Sequence, residues 1–342
     1  MEKYYITTPI YYVNDKPHIG HAYTTILADT ISRFRALVGE KPTFLTGLDE
    51  HGLKVQQAAE KNGKAPQDHC DSMAPAFIDL WKKLNINYSD FIRTTEHRHT
   101  KIVQQILTKV HESGDIYMDE YEGWYSISEE RFITEKELDS GQFGQVKQIK
   151  EKNYFFRMSK YQATLIDKIE KDELLIQPKS RKNEVLGFLK NELSDLCISR
   201  PKSRLEWGIE LPFDDNYVTY VWFDALINYI SAIGAYSNDE QFSSLWPADV
   251  HLIGKDILTT HSVYWPTMLL SLGLPLPQRI FAHGWWLTDD QKMSKSLGNV
   301  VSPLMLIDDF GVDSVRYYLM SEMVLGMDAT FSSESFEKKY NS

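Results

Sequence analysis

Two short clusters of side chains in this sequence could do chemistry on a phosphate. The first is Pro17-His18-Ile19-Gly20-His21. It comes after an apolar run and opens a helical pattern. It therefore stands where a helix N-terminus offers unpaired N–H groups and partial positive charge to an anion. His18 and His21 share one helical face, and two imidazoles there can donate to phosphate oxygens. Gly20 lets a ligand approach the backbone closely. On its own the tetrapeptide also reads as two ordinary surface histidines. The second cluster is Lys292-Met293-Ser294-Lys295-Ser296, then Leu297-Gly298-Asn299, in a polar loop after a strand-like run. Two lysines beside a triphosphate offset the charge that develops at the α-phosphate and on departing pyrophosphate. A loop can close over the nucleotide and then release product. A solvated basic loop is the plain alternative, but the pentapeptide is much harder to reach by chance, and the two clusters in this order reinforce each other.

The elements that must position these groups have an α/β rhythm. Tyr4 to Tyr12 is β-branched and aromatic, as in a buried strand. Val13-Asn14-Asp15-Lys16 is a turn, and Pro17 suits the first helical position. Ile19, Tyr23, Ile26, Leu27, Phe34 and Leu37 recur at helical spacing, with Gly39 at the stop. A strand over 43–46 leads to the loop Gly47-Leu48-Asp49-Glu50-His51-Gly52, then to helices over 54–61 and 67–84. This alternation predicts a parallel sheet covered on both faces. From about Tyr117 to Leu211 the rhythm changes. Short β-like pieces around 121–127, a glycine turn at 141–144 and helices over 160–171 and 181–196 read as an inserted domain. The α/β rhythm then resumes with a strand over 217–224 entering a helix, a strand over 250–253, a helix over 259–272, a strand over 279–283 and a helix over 313–323. The expected division is 1–116 and 213–290 for the two halves of the nucleotide-binding domain, 117–212 for the insertion, and 291–342 for the lysine loop and the residues after it.

Composition narrows the possibilities. At 342 residues the chain is too long for one ordinary core. Its 42% hydrophobic and 25% charged content is that of a soluble globular protein. No apolar run approaches the roughly 20 residues of a membrane span, and the N-terminus reads as a first strand, not a leader. Cys70 and Cys197 are too few and too far apart for a disulfide framework or a Cys-x-x-Cys knuckle. They are expected as thiols in a reducing compartment, the cytoplasm. A net charge of −11 argues against nucleic acid held over a whole face. The local cluster Lys179, Arg181, Lys182, Arg200, Lys202 and Arg204 reads most simply as solvated charge.

Taken together, these blocks resemble the catalytic half of the methionyl-tRNA synthetase family, over nearly the whole chain. The resemblance is carried by Thr7 to Asn14 with Pro17-His18-Ile19-Gly20-His21, and by Thr46-Gly47 with Asp49-Glu50-His51-Gly52. Further matches are Tyr220-Val221-Trp222-Phe223-Asp224-Ala225, Gly254-Lys255-Asp256-Ile257 with His261 and Trp265-Pro266, and His283-Gly284 before the lysine loop. It implies a Rossmann-type parallel-sheet domain split by an inserted connective domain. It also implies activation of L-methionine with ATP and Mg²⁺, then transfer to the acceptor end of tRNA(Met). The chain is expected to be cytoplasmic, without membrane attachment, and a monomer as this fragment. Asp49 would hold the substrate ammonium, a carboxylate on a tight loop suiting a cation, although by itself it also reads as a turn or cap residue. Ile10, Tyr12, Trp222, Ala225, Leu226, Tyr229, Ile257 and His261 would line the methionine pocket; thioether sulfur packs well against aromatic edges. Without the resemblance, Trp222 and Tyr229 are plain core aromatics. Gly254 and Asp256 would meet the ribose, His283 the adenosine or its phosphates, and Asn14, Gly20, Met293, Ser294 and Ser296 the nucleotide. His18, His21 and Lys295, with Lys292 second, would contact the transition state.

The chain departs from the family twice. Many members carry zinc knuckles where this one reads Tyr125-Ser126-Ile127-Ser128-Glu129-Glu130-Arg131-Phe132. Ser126 and Glu129 stand in place of thiolates, so no zinc is expected. The chain also stops at Lys339-Tyr340-Asn341-Ser342, just after the family's stem-contact region begins, so it reads as truncated before an anticodon-binding bundle. Activation should survive, and anticodon-dependent charging should be impaired. Other readings fare worse. A dehydrogenase lacks its Gly-x-Gly-x-x-Gly, and at Gly63-Lys64 a P-loop lacks its upstream glycine and Ser/Thr. Another nucleotidyl transferase is opposed by the pocket blocks. A non-catalytic RNA- or partner-binding paralogue is opposed by the intact motifs and the acidic charge.

Overall fold

A computed structural model describes residues 2–126, 131–133, 138–139, 145–288, 291–293 and 299–342. The N-terminal run is strand β1 (Lys3–Tyr12). Its side chains alternate across the sheet, so Tyr5 enters one buried cluster while Tyr4 and Ile6 enter the other. β2 (Lys41–Asp49) and β3 (Asp90–Arg93) do the same: Leu45 and Ile92 pack with Tyr5, and Phe44 and Leu48 with Ile6. A sheet apolar on both faces needs helices on both. α1 (Ile19–Leu37), α2 (Leu53–Lys61) and α3 (Pro66–Lys83) contribute to the second cluster through Ile26, Val55, Phe77 and Trp81. α4 (His97–Glu112) contributes to the first through Ile102, Ile106 and Val110.

The central sheet has six strands, all parallel, in the order β3, β2, β1, Val250–Gly254, Arg279–His283, Leu175–Gln177. The chain builds outward from β1 to β3, then returns much later to the other side of β1. That reversal opens a crevice at the carboxyl ends of β1 and Val250–Gly254, which is where open α/β sheets bind ligands. The expected α/β class with a parallel sheet is what the chain adopts.

Some elements differ from the expectation. Leu175–Gln177, within the stretch read as an insertion, is the outer strand of the central sheet. Elsewhere in that stretch, Ile116–Ser126 pairs antiparallel with Val146–Phe156 and Arg131–Ile133. The strand expected over 217–224 is Asp214–Thr219, and it belongs to a small antiparallel sheet with Ser199–Pro201 and Glu210–Leu211, not to the central one. The helix expected over 181–196 is Lys179–Phe188. α1 begins at Ile19 because His18 is its cap rather than its second residue. The helix expected over 259–272 is a π turn, Thr260–Tyr264, followed by the α-helix Trp265–Leu272. Pro266 lacks the N–H that an unbroken α-helix would use there. The glycine turn at 141–144 lies outside the described residues. Among the described residues, no helix is long and apolar enough to cross a membrane.

Candidate functional site

Pro9 interrupts a strand at the centre of the sheet. It has no N–H for the ladder, and such a residue is tolerated at a bulge. The β1–β2 register shifts between Thr7 and Ile10. A bulge re-aims the side chains beyond it, and Pro9, Ile10, Tyr11 and Tyr12 all line a cavity of about 370 Å³. Asp49 lines the same cavity from the end of β2, opposite Tyr12 in the ladder, and is only 4% exposed.

The opening of α1 forms the next wall. His18 is the N-cap, and its Nδ1 accepts the Gly20 N–H at 3.0 Å. The His18 backbone N–H donates in turn to Nδ1 of His21 at 3.1 Å. This is a capping box made of two imidazoles. Both Nδ1 atoms are acceptors, so in each neutral ring the proton sits on Nε2. The rings lie 3.9 Å apart between centroids. Burial, with His18 adding to it, lowers the His21 pKa well below the ordinary histidine value, although the ring still reaches the cavity mouth. Gly20 is required here, because a Cβ would come within 2.8 Å of the His18 ring.

Across the crevice, Gly254, Asp256, His283, Gly284, Trp285 and Met293 line the cavity. His283 donates from Nδ1 to the Gly284 carbonyl at 2.7 Å, so its Nε2 accepts from the Thr24 hydroxyl at 2.8 Å. Burial lowers its pKa. A buried, neutral His283 therefore ties α1 to the strand Arg279–His283. Trp285 donates to Asp256 at 3.2 Å, and the Lys255 ammonium lies 4.1 Å above the Trp285 ring.

The remaining wall is apolar with few polar atoms: Trp222, Ala225, Leu226, Asn228, Tyr229, Ile257 and His261. His261 sits in the π turn, a feature frequent at functional sites. Its Nδ1 donates to the Ile257 carbonyl at 2.9 Å, so its Nε2 accepts the Tyr229 hydroxyl proton at 2.6 Å. Burial lowers the His261 pKa to about 4, and the ring is neutral. Tyr229 also lies against His251, with centroids 4.3 Å apart.

Most of the residues singled out from sequence thus face one space. Asn14 does not line it and stands exposed in the turn. Lys292 contributes backbone to a short strand pairing with Leu287. Ser294, Lys295, Ser296 and Glu129 lie outside the described residues. The basic cluster is largely consumed by its neighbours. Arg181 pairs with Glu184, Lys182 with Asp172, Lys202 with Glu210 and Arg204 with Glu151. Arg200 is buried against the Tyr220 ring. Sequence reasoning missed Pro9, Tyr11, Thr24, Asn228, Trp285 and Trp286. Trp285 and Trp286 had a signal, since they come directly after His283-Gly284. Asn228 had only its place beside Tyr229. No group of three or more His, Cys, Asp or Glu suited to a metal occurs among the described residues.

The chain matches the family model described as "tRNA synthetases class I (M)" over residues 4–142 and 140–342. It is 52% identical to a methionine–tRNA ligase of Clostridium tetani over 345 residues, which covers 99% of this chain and 54% of that protein. Identity to the methionine–tRNA ligase of Bacillus subtilis is 48%, covering 99% and 53% respectively. The chain spans about half the length of the curated relatives it matches. Among solved structures it is similar to Mycobacterium tuberculosis methionyl-tRNA synthetase in complex with methionyl-adenylate. The TM-score is 0.96 at 42% identity, covering 100% of this chain and 69% of that one. The apo form of that enzyme gives a TM-score of 0.83 at 39% identity, with 100% and 66% covered.

Proposed function

This chain belongs to the methionine-type class I tRNA synthetases, and we propose that its cavity joins methionine to ATP as methionyl-adenylate. The observation that carries this is the convergence of two kinds of wall on one space. One is the paired-imidazole helix cap, and the other is the Asp49, Trp222, Tyr229 and His261 wall. The methionine ammonium binds the Asp49 carboxylate, a charge-assisted contact. Its thioether enters the slot of Ile10, Tyr12, Trp222, Ala225, Leu226, Tyr229, Ile257 and His261. ATP lies over the N-terminus of α1, with Gly254 and Asp256 towards the ribose and His283, Met293, Ser294 and Ser296 around the nucleotide.

The methionine carboxylate attacks the α-phosphorus in line. The new C–O–P bond forms as the bond to pyrophosphate breaks, and the electron pair leaves on pyrophosphate. Neither this step nor the later transfer to a terminal hydroxyl of tRNA requires a protein nucleophile. Catalysis is positioning and charge stabilisation. The Nε2–H groups of His18 and His21 donate to phosphate oxygens, and Lys295, with Lys292, offsets the charge on the departing pyrophosphate. Mg²⁺ would accompany ATP, held mainly by phosphate oxygens and water, in keeping with its preference for few protein ligands. The substitution of Ser126 and Glu129 for thiolates supports a zinc-free connective region within 117–212, which meets the tRNA acceptor end. A monomer is the proposed working state, and the cytoplasm its compartment.

Methionine-dependent exchange of labelled pyrophosphate into ATP tests this reading with each amino acid in turn. Exchange with methionine alone is expected. Absence of exchange with every amino acid would overturn it in favour of a binding module. Exchange with a different amino acid would overturn the specificity.

A further inference from the structure

Behind the amino-acid wall, and outside the cavity lining, lies a buried cluster of two imidazoles on one carboxylate. Asp224 Oδ2 meets His51 Nδ1 at 2.6 Å, and Asp224 Oδ1 meets His99 Nε2 at 2.7 Å. The other nitrogen of His99 lies 2.8 Å from the Ser231 hydroxyl. Asp224 and His99 are fully buried and His51 is 5% exposed. Burial alone would push the Asp224 carboxyl up, but the two rings against it hold it down at about 2. It is therefore an anion, and both rings donate to it.

The elements joined by this cluster are the ones that bound the amino-acid half of the cavity. His51 is two residues beyond Asp49 on the loop leaving β2. The ring packs against Trp207, whose indole N–H bonds the Glu50 carbonyl and whose own carbonyl accepts the Gly52 N–H. Asp224 lies in the helix Val221–Leu226, between Trp222 and Ala225, which line the cavity. Ser231 lies in the next short helix, Asn228–Ser231, with Asn228 and Tyr229. His99 fixes both helices to α4. The bonds of this cluster run to the amino-acid side of the cavity, not to the start of α1 or to His283 on the nucleotide side.

We propose that Asp224 is a positioning residue for methionine, clamping the Asp49 loop to the Trp222 helix so that the ammonium site and the thioether slot keep a fixed separation. The inference rests on the methionine-activating reading. A hydrogen bond to a charged group of this kind is worth about a tenfold to hundredfold effect when lost. Asp224→Asn removes the charge and turns a donor towards one imidazole, so the methionine KM rises about tenfold or more. The ATP KM and kcat stay within about threefold.

The pyrophosphate-exchange assay reads all three constants in one experiment. His51→Asn keeps an amide donor near the Nδ1 position and should hold the methionine KM near that of the parent. His51→Leu should raise it as Asp224→Asn does. This pair decides the matter should Asp224→Asn fail to fold. Methionine and ATP KM values that rise together would overturn the proposal. So would a lowered melting temperature with an unchanged methionine KM, since both mark a packing role only. Loss of exchange in the parent chain with methionine is a separate outcome, and it removes the reading on which the clamp rests.

Discussion

His18 and His21 each have two jobs, and the two ring nitrogens divide them. Nδ1 completes the cap of α1 while Nε2 is the donor proposed for phosphate. An asparagine at position 18 separates these jobs. Its amide oxygen can take the place of Nδ1, and asparagine is among the best N-caps, but nothing replaces Nε2. His18→Asn should therefore keep the melting temperature of the parent and lower the exchange rate about 10²–10³-fold, the usual cost of one oriented donor. His18→Ala should lose the same rate and also about 1 kcal/mol of stability. Undiminished exchange in His18→Asn would remove the imidazole from the chemistry. Lys295 is expected to act on the same step, so Lys295→Ala should slow single-turnover adenylation far more than it weakens methionine binding. An unchanged single-turnover rate would end that role.

At the scale of elements, what the sequence made legible depended on length and period. β1 and α1 were readable because ten and nineteen residues give alternation and helical spacing room to show. Leu175–Gln177 was not, because three residues carry no period; its place in the sheet comes from pairing with Arg279–Phe281, far away in sequence. The π turn before Pro266 was missed for a related reason, since the apolar spacing there suits an unbroken helix. Asn228 joins the cavity only because topology brings its helix to the end of β1. Gly47 shows how closely these elements meet. A Cβ there would lie 2.0 Å from the Ile92 carbonyl oxygen, which is backbone and cannot turn aside. Gly47→Ala must push β2 from β3 just before Asp49, so a loss of about 3 kcal/mol or more is expected. Gly187→Ala, in a helix with open space around it, should be neutral or stabilising by up to about 1 kcal/mol. Chemical denaturation compares the two. Equal stability for both variants would mean that the β2–β3 contact is softer than its geometry implies.

Across the whole molecule, the α/β sheet is stitched by imidazoles that fold in their neutral form. His251 accepts the Trp265 indole N–H at Nε2 and donates from Nδ1 to Thr7, which joins the helix Trp265–Leu272 to β1. The Tyr229 and His261 side chains face the same buried region. Burial lowers the pKa of His21, His251, His261 and His283, and that of His261 falls to about 4. In the unfolded chain each returns to about 6.5. Proton linkage sets the sign. Below about pH 6.5 the unfolded chain binds protons that the folded one refuses, so stability falls as pH drops towards 4. Asp224 acts in a lower window: its contribution is complete above the unfolded value of 3.8 and is lost as pH falls through about 2. Carboxylates of that kind leave the range between pH 7.5 and 5.5 untouched, so a decline there reports the histidines. The melting temperature should fall steadily over that range, with unfolding at pH 5.5 taking up about one proton for each of these four imidazoles. Unfolding monitored calorimetrically in buffers of different ionisation enthalpy measures that uptake. A melting temperature flat from pH 7.5 to 5.5, with no proton uptake, would show that these rings are charged in the folded protein and that the donor assignments at His261 and His251 are wrong.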